Sequence, residues 1–122
     1  CGTMAAHIMF AEPILMISTN VRTGLGQYFA EFVATFGLVA TILGCLRFRP
    51  EAVPYAVGLF ITAGYWFTAS TSFANPAVTI ARTLTDTFSG IAPADAPAFI
   101  AAQLIGGVAG TVVFAWLSRA ED

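Results

Sequence analysis

The chain has no lysine, a single histidine and few charges of either sign. Charged side chains make up 10% of its 122 residues and hydrophobic ones 57%, with a mean hydropathy of +0.79. A soluble domain commonly carries about a quarter charged residues, so the deficit points to lipid as the solvent. All five cations are arginines: Arg22, Arg47, Arg49, Arg82 and Arg119. A net charge of −2 leaves no basic footprint for nucleic acid, and no nucleic-acid partner is expected. The two cysteines, Cys1 and Cys45, form no C-x-x-C pair or Cys/His cluster. His7 cannot build a metal site alone, so neither a metal nor a cofactor is expected. Glu31, Asp86 and His7 show no recognisable catalytic spacing, which argues against an enzyme. The chain opens at Cys1 inside an apolar stretch, with no basic n-region or cleavage pattern before it. We read it as a fragment whose amino-terminal part is missing.

Long apolar runs are what the chain has in abundance. Three are predicted to span a bilayer: 28–46, 53–71 and 98–117. Each holds about 19–20 residues, which at the helical rise reaches about 30 Å, the hydrocarbon thickness. The first contains Glu31 and the last Gln103. Residues 1–17 are also apolar but broken by Pro13, and read as the end of a preceding helix. Residues 18–27 read as a polar connection. Segment 76–88 is too short and too polar to span, with Arg82, Asp86 and several threonines. It is either an extramembrane loop or a re-entrant segment that enters the membrane and returns. Irregular backbone at that depth is tolerated only where protein buries it or water lines it. Both alternatives place Arg47, Arg49 and Arg119 on one side, the cytoplasmic one by the positive-inside rule, with the carboxy terminus.

Asn75-Pro76-Ala77 carries helix-start chemistry. Asparagine caps the first free amides, and proline at the first helical position sacrifices no hydrogen bond. A capped surface helix would explain the tripeptide taken alone.

Its surroundings narrow the choice. The run Thr71-Ser72-Phe73-Ala74-Asn75-Pro76-Ala77-Val78-Thr79 follows an apolar span and precedes a Pro/Gly loop and another span. That order resembles the major intrinsic protein family, the aquaporins and glycerol facilitators. The segments Gly58-Leu59-Phe60-Ile61-Thr62-Ala63-Gly64, Tyr28-Phe29-Ala30-Glu31-Phe32 and Ala102-Gln103-Leu104-Ile105-Gly106 resemble that family's helices too. The resemblance implies an all-α membrane protein: half of an inverted-repeat bundle, with three transmembrane helices, one re-entrant half-helix and a partial preceding helix. It implies a passive channel for small uncharged solutes. Asn75 would offer its amide N–H to a passing oxygen while the positive end of the half-helix opposes cations.

Val78-Thr79 after the tripeptide is more usual of the first half of such proteins, whereas second halves carry an arginine there. The apolar start at 4–10 and the long connection favour the carboxy-terminal half. On that alignment the resemblance makes Tyr65, Ser72 and Val78 filter residues. Valine in place of arginine predicts a wider, less polar filter. The pattern resembles bacterial aquaporin-like proteins linked with arsenic resistance, which implies arsenous acid or methylated arsenicals beside water and polyols. Arg82 shares Val78's face one turn on; it either lines the vestibule or pairs with Asp86 at i+4. Glu31 is expected to support the re-entrant backbone and Gln103 to bond across helices. Gly106-x-x-x-Gly110 reads as close helix packing within the subunit. The resemblance further implies a homotetramer in a bacterial inner membrane, completed by the missing amino-terminal half. The alternative is an integral membrane fragment or small subunit that transports nothing.

Overall fold

A computed structural model describes residues 1–119. Those residues form helices and connections, with no strand among them. α1 spans Gly2–Met9, α2 Leu25–Phe48, α3 Val53–Phe67, α4 Pro76–Arg82 and α5 Ala96–Arg119, and a single 3-10 turn, Pro50–Ala52, leads into α3. The described residues form an all-α bundle, as the family resemblance implies.

Among the described residues α2 and α5 are the two helices long and apolar enough to cross a bilayer, each 24 residues and containing an 18-residue stretch of mean hydropathy 1.9. At 1.5 Å per residue each reaches about 36 Å. They extend the expected spans by two or three residues at each end. α3 does not match its expected span of 53–71. It stops at Phe67 after 15 residues, about 23 Å, because Thr68 turns extended and the following amides are drawn to α2. α1 ends at Met9, before Pro13, and Ala11 takes a left-handed φ of 56°.

α2 and α5 run side by side in the same direction: Gly106 lies on Phe32, Gly110 on Phe36, and Gly44 on Phe114. A Cβ at Gly106 would sit 2.5 Å from the Phe32 carbonyl oxygen, and one at Gly110 would sit 3.0 Å from that of Phe36. The Gly-x-x-x-Gly pattern thus brings two backbones together inside this chain. α3 returns antiparallel to α2. Its middle meets α2 where Phe60 fills the space beside Gly37, and Gln27 at the start of α2 donates to the Ala69 carbonyl just beyond α3.

Residues 68–95 therefore begin and end at the same end of the bundle. Between them the chain goes inward as extended backbone and comes back as α4. Thr79 of α4 touches Gln103, seven residues into α5 and so about 10 Å from its start. Thr83, just past α4, is already back against Ser18.

The interior is unusually polar. Among the largest fully buried side chains, Glu31, Gln103, Thr79 and Ser70 stand beside Phe99 and Ile91. The outside is the reverse, with Leu104, Ile105, Val108 and Val112 of α5 all exposed. A polar centre under an apolar surface suits a bilayer rather than water.

Candidate functional site

The site grows from one carboxylate. Glu31, one and a half turns into α2, has no exposed surface. Its Oε1 accepts from Ser70 Oγ at 2.7 Å and from the Phe73 amide at 2.8 Å. Oε2 accepts from the Ala74 amide at 2.9 Å and from Gln103 Nε2 at 2.8 Å. The other hydrogen of that Gln103 amino group goes to Thr79 Oγ1 at 2.8 Å. Glu31 and Gln103 thus hold the extended segment and α4 between α2 and α5.

The held segment is strained. Thr71, Ser72 and Ala74 have φ values of 62°, 53° and 50°, a region that costs non-glycine residues roughly 1–3 kcal/mol each. The amides of Phe73 and Ala74 are spent on Glu31, while the carbonyls of residues 71–74 accept no hydrogen bond among the described residues. A row of acceptors is left free.

At the end of that row Asn75 caps α4. Its Oδ1 accepts from the Ala77 amide at 2.8 Å and more weakly from that of Val78 at 3.4 Å. Pro76 is the first helical residue. Asn75 is exposed, and the cap leaves its Nδ2 hydrogens without a partner among the described residues. α4 is seven residues long and ends at Arg82, shorter than the expected 76–88. Past Arg82 the chain is pulled into contacts with residues 7–23 instead of continuing the helix.

The expected filter residues differ in what each can present. Tyr65 is 43% exposed and its hydroxyl accepts from Arg82 Nη2 at 2.8 Å. Ser72 is buried and packs on Gly64, where an added Cβ would meet its Oγ at 2.6 Å. Ser72 can therefore offer a solute its main chain only. Val78 leans on the cluster of Phe73, Ile91 and Phe99. Arg82 does not take Asp86. Its Cζ lies 4.4 Å from the Phe73 ring centroid and 5.8 Å from that of Tyr65.

Asp86 instead accepts from the amide of Thr19 at 2.9 Å and from its hydroxyl at 2.7 Å. The main-chain bond first, then the side-chain bond, hold its carboxyl below the ordinary 3.8 against a small desolvation effect. A lowered carboxylate pKa stabilises the fold fully above the unfolded value, and that contribution disappears as pH falls through the folded value. Protection of the Thr19 amide from exchange, relative to its intrinsic rate, should therefore fall only below about pH 4, and Asp86→Asn should abolish that pH dependence.

This contact belongs to a strap that sequence reading missed. Residues 18–23, read as a plain connection, lie along the loop after α4. Arg22 is buried and donates from Nε to Gly90 O and from Nη2 to Phe88 O, both at 2.8 Å, while its amide donates to Asp95 Oδ2 at 2.8 Å. Burial, then the neighbouring Arg82 guanidinium, push Arg22 down from the usual arginine range, with Glu31 opposing. One arginine in a polar linker is no signal by itself; its partners lie some seventy positions away. His7 is likewise packed, not a ligand. Its Nδ1 donates to Ile14 O at 2.9 Å, which leaves Nε2 to accept from Thr85 Oγ1 at 3.0 Å. No group of three or more metal-ligating side chains occurs among the described residues.

The geometry thus presents free carbonyls, an outward amide and a guanidinium–phenol pair, with no nucleophile or base set among them. The family model described as Major intrinsic protein matches residues 18–121. The chain is 60% identical over 116 residues to an aquaglyceroporin, AqpS, of Rhizobium meliloti (strain 1021), an alignment covering 95% of this chain and 50% of that protein. The chain spans about half the length of the curated relative it matches. No solved structure matches. Aquaglyceroporins of this family are integral membrane channels, not enzymes, and the chain belongs to the major intrinsic protein family.

Proposed function

We propose that this chain forms the carboxy-terminal half of a passive channel for small uncharged solutes, the other half of the wall coming from an amino-terminal segment. One observation carries the reading: free carbonyls 71–74 end at the outward amide of Asn75, all held by the buried Glu31. A desolvating hydroxyl can donate to the carbonyls and accept from the amide, so a polyol or water exchanges its hydrogen bonds as it moves. Glu31 is fully buried and both its oxygens already accept protein hydrogen bonds, so it offers a passing cation no ligand.

Val78 tilts this reading toward wider solutes. Its side chain folds onto Phe73, Ile91 and Phe99 and adds no donor to the path. Glycerol-sized polyols fit this arrangement, and so does arsenous acid, an uncharged trihydroxy molecule at neutral pH. Methylated arsenicals are the larger members of the same class. The parallel α2 and α5 put Arg47, Arg49 and Arg119 at one end of the bundle, which supports a cytoplasmic carboxy terminus in a bacterial inner membrane. The family resemblance extends the proposal to a homotetramer.

The test is solute flux into proteoliposomes of the full-length protein. Glycerol and arsenite should equilibrate faster than into empty vesicles, and Val78→Trp should slow both by about tenfold or more while proton leak stays low. A protein that passes water alone, and is blocked by that tryptophan, would overturn the wide-path reading.

A further inference from the structure

We propose that Arg82 acts as a specificity-determining residue through Tyr65, turning the Tyr65 hydroxyl into a polarised donor at the constriction and restoring there the positive charge that Val78 lacks. The inference rests on the channel reading above and names a device within the same site.

The contact runs between elements. Arg82 is the last residue of α4 and Tyr65 lies near the end of α3, yet Nη2 and the phenol oxygen are 2.8 Å apart. Arginine has donors only, so the phenol must be the acceptor. The phenol's own proton has no acceptor among the described residues, and Tyr65 is 43% exposed. A hydroxyl that accepts from a cation becomes a stronger donor and a poorer acceptor. It favours solutes that present an oxygen lone pair and opposes those that arrive as cations.

The guanidinium is placed to stay there. The Phe73 ring supports it at 4.4 Å from Cζ to the ring centroid, and Phe73 is itself fixed by its amide on Glu31 and by its edge contact with Phe99. The acidic group nearest in sequence, Asp86, is occupied by Thr19. Arg82 Nη1 is enclosed without an acceptor, so Tyr65 and the aromatic face hold the group, not a saturated ion-pair network. The other arginine on Phe73, Arg22 at 5.0 Å, has its guanidinium committed to main-chain carbonyls and anchors the strap. Arg82 alone of the two reaches a group that is open to a passing molecule.

The experiment compares wild type, Tyr65→Phe, Arg82→Met, Arg82→Lys and the Tyr65→Phe/Arg82→Met double variant of the full-length protein in proteoliposomes. Folding is checked by thermal unfolding in detergent. The readouts are glycerol flux, water flux and the sodium and proton leak under an imposed potential. Each single loss should reduce the glycerol-to-water flux ratio by about three- to tenfold, the effect of one hydrogen bond. The double variant should be no worse than the poorer single one, because the two residues act as one unit. Cation leak should rise in Arg82→Met, stay low in Tyr65→Phe, and be restored toward wild type by Arg82→Lys. Folded single variants with an unchanged solute ratio, or additive effects in the double variant, would overturn the inference. Wild-type vesicles no more permeable than empty ones would instead overturn the channel reading beneath it.

Discussion

Glu31→Ala should abolish the ordered core of the protein at ambient temperature. The substitution leaves Ser70 Oγ, two main-chain amides and one hydrogen of the Gln103 amino group without their acceptor, all of them buried. Removing one side of a buried charged network commonly costs about 3–5 kcal/mol, and a whole domain is stable by only about 5–15 kcal/mol. The strain at Thr71, Ser72 and Ala74 adds to the loss, because the carboxylate is what holds those residues in place. Glu31→Gln separates shape from charge. It fills the same space, but puts an amino group opposite either the Phe73 amide or the Ala74 amide, which point at different oxygens, so it should also destabilise strongly. Glu31→Asp, one methylene shorter, should be the mildest of the three. Thermal unfolding of the purified protein in detergent ranks them. Equal midpoints for alanine and wild type would contradict the assignment of Glu31 as the central acceptor.

The second large effect is expected at adjacent glycines with opposite outcomes. Gly106→Ala should force α2 and α5 apart, since the new Cβ would lie 2.5 Å from Phe32 O and 3.1 Å from its Cα. Both atoms are backbone and cannot swing away, so a cost of about 1–3 kcal/mol, the usual range for overpacking, is a lower bound. Gly106→Leu should prevent assembly of the two helices. Gly107→Ala meets only ordinary contacts at 3.7 Å and 3.9 Å, both to flexible side chains. It should gain about 0.5–1 kcal/mol from the better helix propensity of alanine. A shift of the unfolding midpoint in opposite directions checks both at once.

The features legible in the sequence share one property: their causes are local. Asn75 and Pro76 announced the start of α4 because capping depends on residues two or three positions away. The long spans were visible because bilayer thickness demands about twenty apolar residues in a row. Gly106 and Gly110 were visible through their spacing alone. What could not be read depends on partners far along the chain. α3 ends at Phe67 because Glu31, about forty positions earlier, claims the amides that follow. α4 ends at Arg82 because the next residues meet the strap at 18–23. Arg82 was left between Asp86 and the vestibule because both lie within its reach in a helix. Only the arrival of Tyr65 from α3 draws it away from Asp86. Val78 was identified by what it replaces, and its packing on the cluster of Phe73, Ile91 and Phe99 is tertiary.

The cap on α4 has a consequence for which amino acids can stand at position 75. Oδ1 is engaged by helix amides, so the side chain cannot turn over without uncapping α4. Its two N–H bonds are locked facing away from the helix. Aspartate ranks with asparagine as a cap, and by that measure the two are interchangeable. They are opposite in what they turn outward, since asparagine shows hydrogens where aspartate would show a negative oxygen. Folding therefore tolerates either residue, and only the sign of the outward group distinguishes them. At this position a fold assay and a flux assay should disagree about the same substitution.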